Sequence, residues 1–329
     1  MQEIWCTLFK FLEWGNELSF FKFVSEERID IIRKGCIRFT PASDFNDPFE
    51  FKPHLTKINR KFLPYHLDSL TLSEHELIAK YENATVSEEL SEREISEYSA
   101  ERNFKYTKYK NELNKILSDY GVLSLFHNGA ETYNPSIIIH DENEPRQNIL
   151  MWSYYANNHK GMVIEFHNSF FFNETRQVTY DNDRPLVTYE DIDDRNEENL
   201  FQIFNTKKNV WHNESEFRVV KRLEDADRVI GDNLDIHLFN FNKKYIKSVT
   251  MGCKADPKFC DEVYQLLKDD PELNHVAFFT SQIHEEKFCL KFFQKSQMYG
   301  RTFTNAPIFE DMDVTSKIPQ QLPPDSFDF

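Results

Sequence analysis

The chain opens its legible pattern at Phe20-Phe21-Lys22-Phe23, a short aromatic run that reads as a strand. Ser25 followed by Glu26 and Glu27 then marks a helix start, a cap with acids in the first turn. Ile29, Ile31 and Ile32 give this helix an apolar stripe, Gly35 ends it, and Cys36 to Thr40 predicts a second strand. The next ten residues, Pro41 to Glu50, are turn-rich. Asn46 and Asp47 can cap their own backbone there, Pro48 forbids helix before it, and Phe45 and Phe49 are placed to pin the loop. From about 55 to 118 the residues turn to Glu, Lys, Ser and Tyr at helical spacing, which predicts a helical insertion with one start at Ser87 and a helix over Lys105 to Leu117. The charged run Ser87 to Glu101 reads as a solvated face.

Strand pattern resumes at Gly121 to Phe126, and a polar excursion over 127–148 has the length of a lid. Asn148 to Gly161 predicts a short helix closed by Gly161. Met162 to Phe166 follows as a strand with Met162, Ile164 and Phe166 on one face and Val163, Glu165 and His167 on the other. Further strands are expected at Gln177 to Tyr180, Glu216 to Val220 and Ile246 to Met251. A helix beginning near Glu197 is expected to end at Lys207 and Lys208, and another helix to span Asp256 to Leu267. Four prolines after Ala306 predict an extended or disordered tail over 306–329. The pattern as a whole is α+β, with a mixed or antiparallel small-sheet core in one domain spanning 1–305.

Composition narrows the chemistry. The chain of 329 residues carries 31 Phe against 8 Gly, so the interior is built largely from Phe, and the few glycines form no phosphate-cradling loop. The net charge of −16 repels bare nucleic acid and leaves room only for a local basic groove. Five scattered cysteines without a Cys-x-x-Cys pair predict reduced, mostly buried thiols. No apolar run is long enough to span a membrane and no leader pattern is present, which predicts a cytoplasmic protein.

The densest chemistry lies at Trp211-His-Asn-Glu-Ser-Glu-Phe-Arg218. Strand alternation would put Glu214, Glu216 and Arg218 on one face. Such a face serves either as an ordinary ion-paired surface or as a cleft acid whose neighbours tune its pKa. His159, at the end of the short helix, fits a charged helix cap or a catalytic imidazole. Glu165 with His167, and His212 near Glu214, lack the spacing of a metal site, so no metal is expected. Trp152 and Trp211 read as core anchors, either able to form a pocket wall.

Phe21-Lys-Phe23, Arg38 to Glu50, Val122 to Leu125, Met151 to Gly161, Lys207 and Trp211 to Arg218 together resemble the blocks of bacterial domain-of-unknown-function family 2971. Members of that family occur in mobile-element and phage-defence settings, which suggests a toxin or effector. The order of a basic first strand, a helix ending in Lys-Gly, an aromatic middle and a late Glu-x-Glu strand also resembles the ADP-ribosyltransferase superfamily, whose split sheet holds NAD in a cleft. That resemblance implies Glu216 as the catalytic acid with Glu214 upstream, Lys22 on the pyrophosphate where the pattern has Arg or His, and Tyr154 or Tyr155 on the nicotinamide. The surrounding candidates for binding NAD are Arg38, Asn46, Asp47, Trp152 and His159. The implied partners are an acceptor, protein or nucleic acid, and a companion protein of a defence or toxin system. Two other readings stand beside it. One is a non-catalytic sensor or adaptor domain built on Asn46-Asp47-Pro48 and Trp152. The other is a Mg²⁺-dependent nuclease or hydrolase using Asp47, Glu50 and Glu216.

Overall fold

The computed structural model describes residues 19–56, 92–127, 144–167, 174–231 and 236–295, with backbone only for Thr56 and 92–103. The Ser87 start, most of the 127–148 excursion and the 306–329 tail lie outside these residues. The first elements follow the hydrophobic pattern closely: β1 is Ser19–Val24 and β2 is Cys36–Pro41. Between them a 3₁₀ turn, Glu26–Ile29, runs into the helix Asp30–Lys34, which ends at Gly35 in the left-handed region (φ 61°). Ser25 stands at the cap position without a side-chain bond. β3 is His54–Thr56, the helix Glu92–Ser118 carries the predicted Lys105-to-Leu117 segment, and β4 is Tyr120–Phe126.

After the helix Ile149–Tyr155 come β5, Met162–His167, then β6, Thr175–Gln177, and β7, Thr179–Asp181. The strand expected over Gln177 to Tyr180 is thus broken at Val178. β8 is Leu186–Thr188, followed by the helices Tyr189–Asp193 and Glu197–Phe204. Lys207 and Lys208 lie not at that helix end but in β9, Thr206–Lys208, which pairs in parallel with β7. β10 is Glu216–Arg222, β11 Arg228–Ile230, β12 Ile236–Asn240 and β13 Ile246–Met251. The helix Pro257–Asp269 then crosses over to β14, Ala277–Ile283, parallel to β13, and β15, Leu290–Gln294, turns back antiparallel. The fold class is α+β, with a mixed sheet core.

The sheet forks at β4. Along one edge β4 pairs with β10 from Tyr120↔Arg222 to Phe126↔Glu216. Along the other it meets β2 only at Gly121 and Val122, and β1 only at Phe126. One branch continues from β2 to β12 and β11, the other from β1 through β5 and β13 to β14 and β15. Between the branches, Leu123, Ser124 and Leu125 face a gap in the ladder. That gap is the foundation of the site.

Phe dominates the packing as the composition predicts. One core gathers Phe20, Phe39, Phe166, Phe217 and Phe239 beneath the helix Pro257–Asp269, with Met162, Ile164 and Phe166 on the predicted shared face. A second joins Phe51 and Phe204 to Leu113, Ile116 and Leu117 of the long helix. A third packs Phe21, Phe23, Phe126 and Val163 around Trp152. Of the four described cysteines only Cys36 is buried, fewer than expected; Cys253, Cys260 and Cys289 are partly covered. Among the described residues, no helix is long and apolar enough to cross a membrane.

Two local expectations are corrected. The helix Ile149–Tyr155 is not closed by Gly161; it stops four residues earlier than His159, and Asn157, Asn158 and His159 all adopt positive φ. Gly161 is required for a different reason: a Cβ there would lie 2.1 Å from the Val24 carbonyl oxygen. In the 41–50 loop, Phe45 packs edge-on against Phe51 at 4.8 Å, whereas Phe49 is 58% exposed and pins nothing beneath it.

Candidate functional site

At the fork, the Lys22 side chain spans the gap and its Nζ donates to the Ser124 carbonyl at 2.8 Å. Ser124 also hydrogen-bonds through its side chain to Glu216, on the paired strand β10. Burial lowers the Lys22 pKa to about 8, with Arg28 adding to the effect and Glu216 opposing it. Ser124 thereby links a basic group on one branch to an acid across the ladder.

Glu216 is held by several donors at once. Its Oε1 accepts from Arg218 Nε at 2.7 Å, and its Oε2 accepts from Arg218 Nη2 at 2.9 Å and Lys207 Nζ at 3.1 Å. Burial alone would raise its pKa, but the Arg218 and Lys207 charges prevail and bring it to about 2. With the Ser124 bond, the roughly four lone-pair positions of this carboxylate are filled. Its backbone N–H donates to the Tyr180 hydroxyl at 2.8 Å, and burial pushes that hydroxyl up to about 12.

Glu214 reaches the same place by another route. It lies in a 3₁₀ turn, Asn209–Glu214, not in the strand, and Ser215 in the left-handed region (φ 42°) swings it back beside Glu216. Its Oε1 accepts from the Tyr155 hydroxyl at 2.6 Å and its Oε2 from Lys207 at 2.5 Å, so two acceptor positions stay open. Burial and the neighbouring Glu214 charge raise the Tyr155 pKa, keeping the phenol a donor. Glu50 completes the group, 3.1 Å from Lys207 and 2.8 Å from Arg218. Three carboxylates, Glu50, Glu214 and Glu216, thus balance three cations, Lys22, Lys207 and Arg218.

These groups, Arg218 excepted, line a cleft of about 90 Å³ that opens to solvent, walled by Phe21, Phe23, Phe126, Met151 and Tyr155, with Asn46 also in its lining. Of the residues singled out in the sequence, Lys22, Asn46, Glu50, Tyr155, Lys207, Glu214 and Glu216 converge there. The others do not. Arg38, on β2, pairs at 2.9 Å with Asp44 in the 3₁₀ turn that follows that strand. Asp47 turns to Trp211 Nε1, 2.8 Å away, and to the Phe49 N–H. Trp152 is fully buried, donating to the Arg146 carbonyl. Tyr154 is exposed beside Trp211. His159 stacks on Trp152 with ring centroids 6.0 Å apart, and burial with Lys254 lowers its pKa. It is therefore neither a charged helix cap nor near the cleft, because the helix has already ended.

Sequence reasoning gave no role to Ser124, and Lys207 entered it only as a family position. A buried Lys between acids was the available signal: Lys207 Nζ sits where a cation among Glu50, Glu214 and Glu216 would sit. Among the described residues, no group of three or more His, Cys, Asp or Glu side chains could hold a metal ion. Glu165 is bound by Lys247 and Ser248, and His212 Nδ1 lies against the Asn209 carbonyl.

No curated protein and no solved structure matches the chain. Residues 151–219 match the model of a family described as "Protein of unknown function (DUF2971)". That stretch contains the helix bearing Tyr155, the β9 lysine and both cleft acids, Glu214 and Glu216. Over residues 151–219, about a fifth of its length, the chain is similar to the DUF2971 family.

Proposed function

We propose that the cleft binds NAD as a substrate and transfers its ADP-ribosyl group to an acceptor, the chain acting as an effector or toxin of the kind its family setting suggests. One observation carries the reading: Lys22, a destabilised, partly buried ammonium that donates to one acceptor among the described residues, stands at the sheet fork across from Glu214 and Glu216 in an aromatic-walled cleft. Buried groups with perturbed pKa values in a cleft mark functional sites. In this reading Lys22 donates to the pyrophosphate, and the Tyr155 ring stacks on the nicotinamide. Glu216, held ionised, stabilises the positive charge that grows at the ribose as the glycosidic bond breaks and its electron pair leaves with nicotinamide. The acceptor's nucleophile bonds to the same carbon, and Glu214, with open acceptor positions, takes its proton.

A second reading has its own support. Because the lone pairs of Glu216 are filled by Arg218, Lys207 and Ser124, the cleft also suits a sensor that binds its ligand without cleaving it. Nicotinamide release from NAD by the purified protein, compared with Lys22→Met and Tyr155→Leu, separates the two. Release that falls at least about ten-fold in both variants supports the transferase; binding without release supports the sensor; no NAD binding at millimolar concentration overturns both as readings of NAD.

A further inference from the structure

On the far side of the ionic centre a second cavity shares Glu50 and Lys207 with the cleft and opens beside Phe49. Phe49 is exposed, yet its position is fixed: its N–H donates to Asp47 Oδ1 at 2.9 Å, and the Asp47 Oδ2 is held by Trp211. Two cations sit over the ring, Arg184 with its guanidinium carbon at 5.8 Å and Lys208 with Nζ at 5.9 Å from the centroid. Lys52 lines the same cavity, together with the acids Asp47, Glu50, Asp181 and Asp183. Among the described residues none of these three cations has a carboxylate within salt-bridge distance, in a chain with 55 acids to 39 bases. The opposite wall is also built, since Asp183 N–H donates to Asp181 and the Pro185 carbonyl accepts from the His54 N–H. An exposed flat ring flanked by unpaired cations is a stacking platform with phosphate contacts on either side.

We infer that this groove binds single-stranded nucleic acid, a base stacking on Phe49 while Arg184, Lys208 and Lys52 contact the flanking phosphates. The chemistry matches: every base has a π-face for the ring, and phosphates pair with three cations that no carboxylate of the described residues engages in a salt bridge, although acids line the same cavity. The overall negative charge confines the contact to this groove, so affinity is modest and falls steeply with salt. Three phosphate contacts give a salt slope of about −2, or roughly a 20-fold loss of affinity from about 50 to about 200 mM salt. Binding here is independent of NAD, so it stands or falls apart from the proposed activity.

The test is fluorescence anisotropy of the full chain with a labelled mixed-sequence DNA strand of about 12 nucleotides, without NAD. The same strand as a duplex and free ATP serve as competitors. Phe49→Ala is expected to weaken binding about ten-fold, and the double variant Arg184→Gln/Lys208→Gln to reduce the salt slope by about 1.4. All three side chains are exposed, so circular dichroism of the variants should be unchanged. Absence of strand binding overturns the inference. So does binding that neither variant alters, or competition by free ATP or duplex as strong as by the strand itself.

Discussion

Replacing Lys22 with Met should make the protein more stable, not less, at neutral pH. The unfolded chain holds this lysine near its ordinary pKa of 10.5, whereas the folded cleft lowers it to about 8. Each unit is worth about 1.4 kcal/mol, so keeping the ammonium charged in the folded state costs about 3 kcal/mol at pH 7. The Met side chain removes that cost but leaves the Ser124 carbonyl without its donor, a loss of about 1 kcal/mol. The net expectation is a gain of about 2 kcal/mol. The pH dependence has a definite sign. Between about 8 and 10.5 the unfolded state binds more protons than the folded one, so wild-type stability rises with pH through that window. The variant lacks the rise, and its advantage disappears by pH 10.5. Urea unfolding of both proteins, followed by tryptophan fluorescence at several pH values between 7 and 10.5, reads the difference with other titrating groups held in common. A variant less stable than wild type at pH 7, or a difference that does not change with pH, would refute the claim that Lys22 is carried at a cost to the fold.

The remaining perturbations address the frame around the cleft. Lys207→Met leaves Glu50 and Glu216 to share Arg218 and removes the salt-bridged cation of the buried Glu214, and should cost about 3–5 kcal/mol at pH 7. The gap to wild type should narrow on acidification, since a stranded carboxylate takes up a proton while wild type loses the stability of Glu216 as pH falls from about 4.5 toward 2. A gap that widens in acid would contradict this. Gly161→Ala should abolish soluble expression or lower the melting temperature by 10 °C or more, on the order of 3 kcal/mol, because its methyl would meet the Val24 carbonyl at 2.1 Å. Trp152→Phe should cost about 3 kcal/mol in denaturant melts, through lost volume and the loss of the indole N–H that donates to the Arg146 carbonyl.

The sequence is most readable where one periodicity persists. Met162 to Phe166 is apolar at every second position and Ile246 to Met251 is rich in β-branched residues, and both form strands over those residues. The three-residue strands β3, β8 and β9 carry no period of their own, since partners elsewhere in the chain create them. β14 was missed because Ala277-Phe-Phe-Thr-Ser does not alternate; it is covered on both faces after a helical crossover. The site shows the same division. Glu214 and Glu216 were found by type and spacing, but Glu214 joins the cleft through the left-handed Ser215, a turn that strand alternation does not contain. Trp152 and His159 were singled out by chemistry and prove to be packing, stacked on each other at the end of a helix shorter than expected. Lys22 and Tyr155 were placed by a resemblance; the choice between Tyr154 and Tyr155 needed the helix rotation, which turns Tyr155 to Glu214 and leaves Tyr154 exposed.

The central claim is that an anionic dinucleotide substrate occupies the fork of the sheet, and calorimetric titration of NAD into wild type and Lys22→Met, with nicotinamide release followed in the same samples, tests it most directly. The account predicts that wild type binds NAD and releases nicotinamide, and that Lys22→Met, though folded and more stable, loses both by about ten-fold or more. Equal NAD affinity in the two proteins, or none in either at millimolar concentration, would contradict it.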